Sequence, residues 1–100
     1  MDASPGYQAV MRLAGDPQRA KWLPVVAAAY REAQRVRNLG GEFAGAWVVA
    51  DTGWVPNLRV LAAFGILEKT GNTRAGRRAY YRMPDMQGVD SALKVLRVPH

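Results

Sequence analysis

The chain is expected to be mainly α with one small β-hairpin, an α+β class, and three observations predict this. Apolar residues recur at three- and four-residue steps in segments between positions 7 and 64, the spacing that lines one face of a helix. After Gly65 the period falls to two, the mark of strands. Gly, Pro, Asp and Asn punctuate the chain between these segments, so the connections are turns. The 100 residues leave room for a single domain, and their 49% hydrophobic content is that of a globular protein.

Residues 1–15 read as an N-terminal arm with a short helix. Pro5 and Gly6 keep the first six residues loose, and Tyr7, Val10, Met11 and Ala14 then hold helical spacing until Gly15. Asp16-Pro17 is an N-cap followed by a proline suited to a first helical position. Trp22, Val25, Val26, Ala29, Ala33 and Val36 line one face of the longest helix, with Arg31, Glu32, Gln34, Arg35 and Arg37 mostly on the other. Pro24 inside that helix would cost a backbone bond, which places the start near Leu23 and leaves residues 16–21 as a separate turn. Asn38, Gly40 and Gly41 end it.

Over residues 42–51, Phe43, Ala46, Trp47 and Ala50 keep helical spacing, and β-prone Trp47-Val48-Val49 makes strand the competing assignment. Asp51-Thr52-Gly53 is a turn. Pro56 then opens a short helix whose buried edge is Leu58, Leu61 and Ala62, closed by Gly65 in a left-handed conformation. Residues 66–70 and 78–83 form the hairpin, with Ala79, Tyr81 and Met83 on one face of the second strand and Arg78, Tyr80 and Arg82 on the other. Pro84 ends it. Residues 90–97 make a last short helix, its apolar side formed by Val89, Leu93 and Leu96.

Two short helices joined by a Gly-containing turn and followed at once by a hairpin describe a winged helix-turn-helix. The single domain, 1–100, then has a winged-helix core over 22–83, three helices plus the wing, flanked by the N-terminal segment 1–15 and a C-terminal helix within 88–98. The run Asn57-Leu-Arg-Val-Leu-Ala-Ala-Phe-Gly-Ile-Leu67 resembles the end of the recognition helix in ArsR-like and MarR-like bacterial transcriptional regulators. Arg74-Ala-Gly-Arg-Arg-Ala-Tyr-Tyr-Arg-Met83 resembles their wing. The resemblance spans 42–83. It implies a small DNA-binding regulator that works as a homodimer, in the bacterial cytoplasm and associated with the nucleoid. Trp54, Val55 and Pro56 stand where that family carries polar readers.

The charge points the same way. Fourteen Lys and Arg against eight Asp and Glu leave a net +6, and a small cationic domain attracts polyanions. Lys69, Arg74, Arg77, Arg78 and Arg82 lie in a stretch of fourteen residues without an acid. On a wing their guanidinium groups suit phosphates or a minor groove; on a plain hairpin they keep an edge from aggregating. Five phosphate contacts would give log affinity a slope of about −4 to −5 against log salt. Asn57 and Arg59 are candidates for the groove face of helix 54–64, since Arg pairs bidentately with guanine and Asn with adenine. Tyr80 shares the face of Arg78 and Arg82 and is a candidate phosphate contact. Trp54 is a nucleic-acid contact, a partner anchor or a lid on the core.

Other classes find little support. With no cysteine, disulfides and thiolate metal sites are excluded, and the only histidine is His100. No paired carboxylates, phosphate loop or metal-ligand cluster is present, so no catalysis, cofactor or metal is expected. The longest apolar run, residues 22–30, is well short of the roughly 20 residues that span a bilayer. The expected partner is double-stranded DNA, with the N-terminal stripe and Val89, Leu93 and Leu96 as a dimer seam. The alternatives are a protein-interaction module docking through Trp54, Val55 and Pro56, and structured RNA on the same basic surface.

Overall fold

The structure, a computed structural model, describes residues 4–50, 53–72 and 78–100. Among them are four α-helices and one three-stranded antiparallel sheet of strand order β1-β3-β2. The expected 51–52 turn, Arg74 and Arg77 lie outside the described residues, as do the first three residues of the arm.

Helix α1, Pro5–Ala14, begins earlier than its apolar spacing indicates, because Pro5 occupies a first-turn position where its missing N–H costs nothing. Pro5 and Gly6 are therefore helical, not a loose arm. A 3₁₀ turn, Ala20–Trp22, precedes α2, Leu23–Arg35, with Pro24 in its first turn as expected. The Asp16 carboxylate accepts the Gln18 N–H at 2.9 Å and organises the turn ahead of it.

Residues 42–51 are not a helix. Phe43–Ala44 is a two-residue strand, β1, and Gly45–Trp47 is one turn of 3₁₀ helix that ends in extended Val48. Phe43 and Ala44 pair with Tyr81 and Tyr80 of β3. Ladder pairing with that strand outweighs the helical spacing of Phe43, Ala46, Trp47 and Ala50. The following helix is also shorter than expected: α3 is Arg59–Ala63, and Pro56 and Asn57 stand before it. Gly65 closes it at φ +86°, and Ile66 N–H reaches back to Leu61 C=O at 3.0 Å.

Strand β2, Glu68–Asn72, pairs with β3, Ala79–Arg82, with an irregularity between Lys69 and Gly71. On β3 Tyr81 is buried and Arg82 exposed, as the alternation requires, but Ala79 and Tyr80 are both half-buried; Arg78, ahead of the strand, is exposed and Met83, after it, is buried. Helix α4, Met86–Val95, starts four residues ahead of expectation because Asp85 caps it. One Asp85 carboxylate oxygen accepts Gly88 N–H at 3.1 Å and the other accepts Gly6 N–H at 2.8 Å, so a single side chain ties the first turns of α1 and α4 together. Burial alone would raise the Asp85 carboxyl, but the bonds from Gly6, Gly88 and the Ser4 hydroxyl hold it below its usual range. Gly6 and Gly88 are needed for this approach, since a Cβ on Gly6 would lie 2.7 Å from Asp85 O and one on Gly88 2.8 Å from Tyr7 N.

The core draws on all four α-helices, on β1 and on β3. Val10, Leu13, Val26, Leu61, Val89 and Leu93 are fully enclosed, each worth about 1.5–3 kcal/mol over an exposed position. Helix α1 packs along α4 in this core. Val10, Val89 and Leu93 of the expected seam are thus buried inside one chain, while Tyr7, Met11 and Leu96 stay partly open. No described helix is long and apolar enough to cross a membrane.

Candidate nucleic-acid interface

The sheet divides the predicted contact residues between two surfaces. Tyr81 points inward and meets Leu58 beside Gly45, where a Cβ would stand 3.1 Å from the Tyr81 ring and 3.7 Å from Leu58. Helix α3 therefore lies on the Tyr81 side of β3. Neighbouring residues of a strand point to opposite faces, so Tyr80 and Arg82 project away from α3.

On the α3 flank, Leu58 is buried between exposed Asn57 and Arg59. An open depression of about 240 Å³ is lined by Asn57, Pro56 and Val55 from the approach to α3, by Arg78 and Ala79 from the start of β3, and by Gly45 and Ala46. Asn57 and Arg78, from opposite ends of the expected interface, share this hollow. Arg59 keeps its guanidinium clear of any ion pair among the described residues. Arg12 of α1 donates to Phe64 C=O at 3.3 Å and so braces the end of α3.

Asn57 is partly committed to the fold. Its Oδ1 accepts the Arg59 N–H at 3.0 Å, and since that donor requires an oxygen, the amide nitrogen is left as the outward group. The bidentate adenine contact expected of Asn57 uses both amide atoms. With Oδ1 engaged, Asn57 suits an acceptor such as a phosphate oxygen better.

Trp54 lies edge-on to Trp22, ring centres 5.9 Å apart, and remains 45% exposed. It is a lid on the turn before α2 that keeps one side in water. Val55, beside it, is 56% exposed.

The outer face of the sheet is different. Tyr80 meets Trp47 edge to face at 5.7 Å, and the Arg35 guanidinium sits over the Trp47 ring at 5.7 Å. Trp47, expected as core packing, is 39% exposed. Arg35 also pairs with Glu32, whose hydrogen bond raises the guanidinium pKa further. Arg82 faces Glu68 across the β2–β3 ladder, Nε to Oε1 3.8 Å. The acid-free stretch therefore meets an acid in space, supplied by the residue just before it. Lys69 is exposed on the edge strand, opposite Tyr81 in register.

The expected set thus separates into Asn57, Arg59 and Arg78 on the α3 flank, Tyr80 and Arg82 on the outer face, and Lys69 at the edge. Sequence reasoning overlooked Arg12, whose bond to α3 joins residues 52 apart, and Trp47, whose exposure follows from the missing helix. No local pattern signals the first; the β-prone run around Trp47 signalled the second. Among the described residues no group of three or more His, Asp or Glu is placed to hold a metal. Compared with protein-family models, curated proteins and solved structures, the chain matches none.

Proposed function

We propose that this chain is a winged helix-turn-helix protein that binds double-stranded DNA, a small regulator of transcription rather than an enzyme. Three features support the fold reading. A long helix leads into a short strand, α3 precedes a hairpin, and the first strand pairs with the last to give the order β1-β3-β2. The one-turn 3₁₀ segment Gly45–Trp47 takes the place of the first helix of the helix-turn-helix.

The observation that carries the functional reading is the hollow shared by Asn57 and Arg78, with Arg59 beside it. It brings Asn57, just ahead of α3, and Arg78, at the base of the wing, to one open surface, which suits a single polyanion. Asn57 and Arg78 hold backbone phosphates, and Arg59 is the one residue of α3 suited to a base edge. Arg74 and Arg77, outside the described residues, are proposed to add phosphate contacts. Tyr80 and Arg82 take no part. A homodimer is what the family resemblance implies, with Tyr7, Met11 and Leu96 still partly open for it; light scattering at high concentration checks it.

The decisive measurement is titration of duplex DNA at two salt concentrations, with single-stranded DNA and RNA as controls. Duplex binding that weakens steeply with salt and falls on Arg59→Ala supports the reading. Equal binding to structured RNA, or none to any nucleic acid, refutes it. The exposure of Trp54 and Val55 favours one second reading, a protein-docking surface on the same flank. In that case Trp54→Ala breaks a complex while Arg59→Ala leaves it intact.

A further inference from the structure

We infer that a cleft at the base of the hairpin binds an organic anion with a flexible alkyl body. The cleft lies between the end of α2, the strand ends of the hairpin and the start of α4, and encloses about 390 Å³. That volume falls in the range of small-molecule sites, about 300–1,000 Å³. The proposal goes beyond the DNA reading, and none of the α3-flank residues lines this space.

The walls define the ligand. Ala33, Met83 and Met86 supply apolar surface, the first two buried and Met86 half-buried. Methionine side chains are unbranched and adapt their shape, which suits an alkyl chain better than one rigid outline. Two guanidinium groups, Arg37 and Arg82, stand at the same cleft. Arg37 is exposed and in no ion pair among the described residues. Arg82 has only Glu68, at 3.8 Å and beyond hydrogen-bond length, so its donors are not used up. Two cations against one carboxylate leave the cleft positive. A carboxylate or a phosphate monoester meets this demand through paired N–H donors, and its chain covers the methionines.

Calorimetric titration of the full chain with sodium octanoate and with octyl phosphate, each below its micelle concentration, tests the site, with 1-octanol as the uncharged control. One-to-one binding of at least one anion is expected, weakened tenfold or more in both Arg37→Ala and Arg82→Ala, and absent with octanol. The tighter of the two anions identifies the head group. Methyl resonances of Met83 and Met86 should shift on binding, and circular dichroism of the variants checks that they keep their fold. Failure of both anions to bind, equal binding by octanol, or binding unchanged in Arg37→Ala overturns the inference. None of these outcomes depends on duplex binding, so the DNA reading stands or falls separately.

Discussion

Arginine serves the two surfaces of this small sheet in opposite ways. On the outer face Arg35 is held by Glu32 and the Trp47 ring, and Arg82 faces Glu68 across the ladder at 3.8 Å. On the α3 flank Arg59 is exposed with no acid against it among the described residues. A guanidinium with a carboxylate nearby has part of its charge already offset, so it attracts a phosphate less strongly. One left to water gains the whole contact and releases counterions as well. Composition therefore does not identify the interface. The placement of the few acids does.

The comparison breaks most readily at the support beneath α3. Leu61→Ala removes a fully enclosed side chain and should cost about 3 kcal/mol, read as a lower midpoint in urea unfolding. Duplex affinity should fall with it, while the Trp47–Tyr80 pair is disturbed only on global unfolding. Next in size is the binding contrast itself. Arg59→Ala should weaken duplex binding by about 1–3 kcal/mol, and Arg82→Ala by under about 0.5 kcal/mol, in fluorescence anisotropy at fixed salt. Equal losses at the two positions would erase the distinction between the surfaces.

A third test leaves both surfaces alone. Asp85→Asn weakens the cap shared by α1 and α4 and should cost about 1 kcal/mol with duplex affinity unchanged. The Asp85 carboxyl titrates lower in the folded chain than in the unfolded one. Its stabilisation is therefore complete above the ordinary carboxylate range and disappears as pH falls through the lowered folded value. The acid side of the melting temperature against pH should flatten in the variant. The smallest effect is expected at Glu68→Gln. That exposed, 3.8 Å pair contributes below about 0.5 kcal/mol, so stability should hardly move while the outer face gains a free arginine. Any rise in duplex affinity in this variant would show that matching by acids is what keeps the outer face silent.

Much of the fold is legible from local rules. Pro24 sets the start of α2 because a proline fits only the first turn of a helix. Gly65 closes α3 where a positive φ is needed, and the two-residue period of β3 sorts Tyr81 from Tyr80 and Arg82. Residues 42–51 mislead because Phe43, Ala46, Trp47 and Ala50 keep helical spacing although the run Trp47-Val48-Val49 is β-prone. A strand partner 37 or so positions away, not local propensity, decides between them. The interface was half legible for the same reason. Arg59 and Arg78 are visible as cations in the sequence, but the engagement of Asn57 Oδ1 and the pairing of Arg82 across the ladder depend on turn and register.

By itself the sequence determined the helix-rich class, the places where helices stop, the alternation of the last strand and the excess of positive charge. These follow from backbone sterics, side-chain period and formal charge, which act over a few residues. Only the tertiary structure decided that α1 packs along α4, that Asp85 joins two helix starts, and that Arg35 and Arg82 face acids while Arg59 does not. Each of these rests on contacts between residues far apart in the chain, and pairings at that distance are set by how the elements pack together.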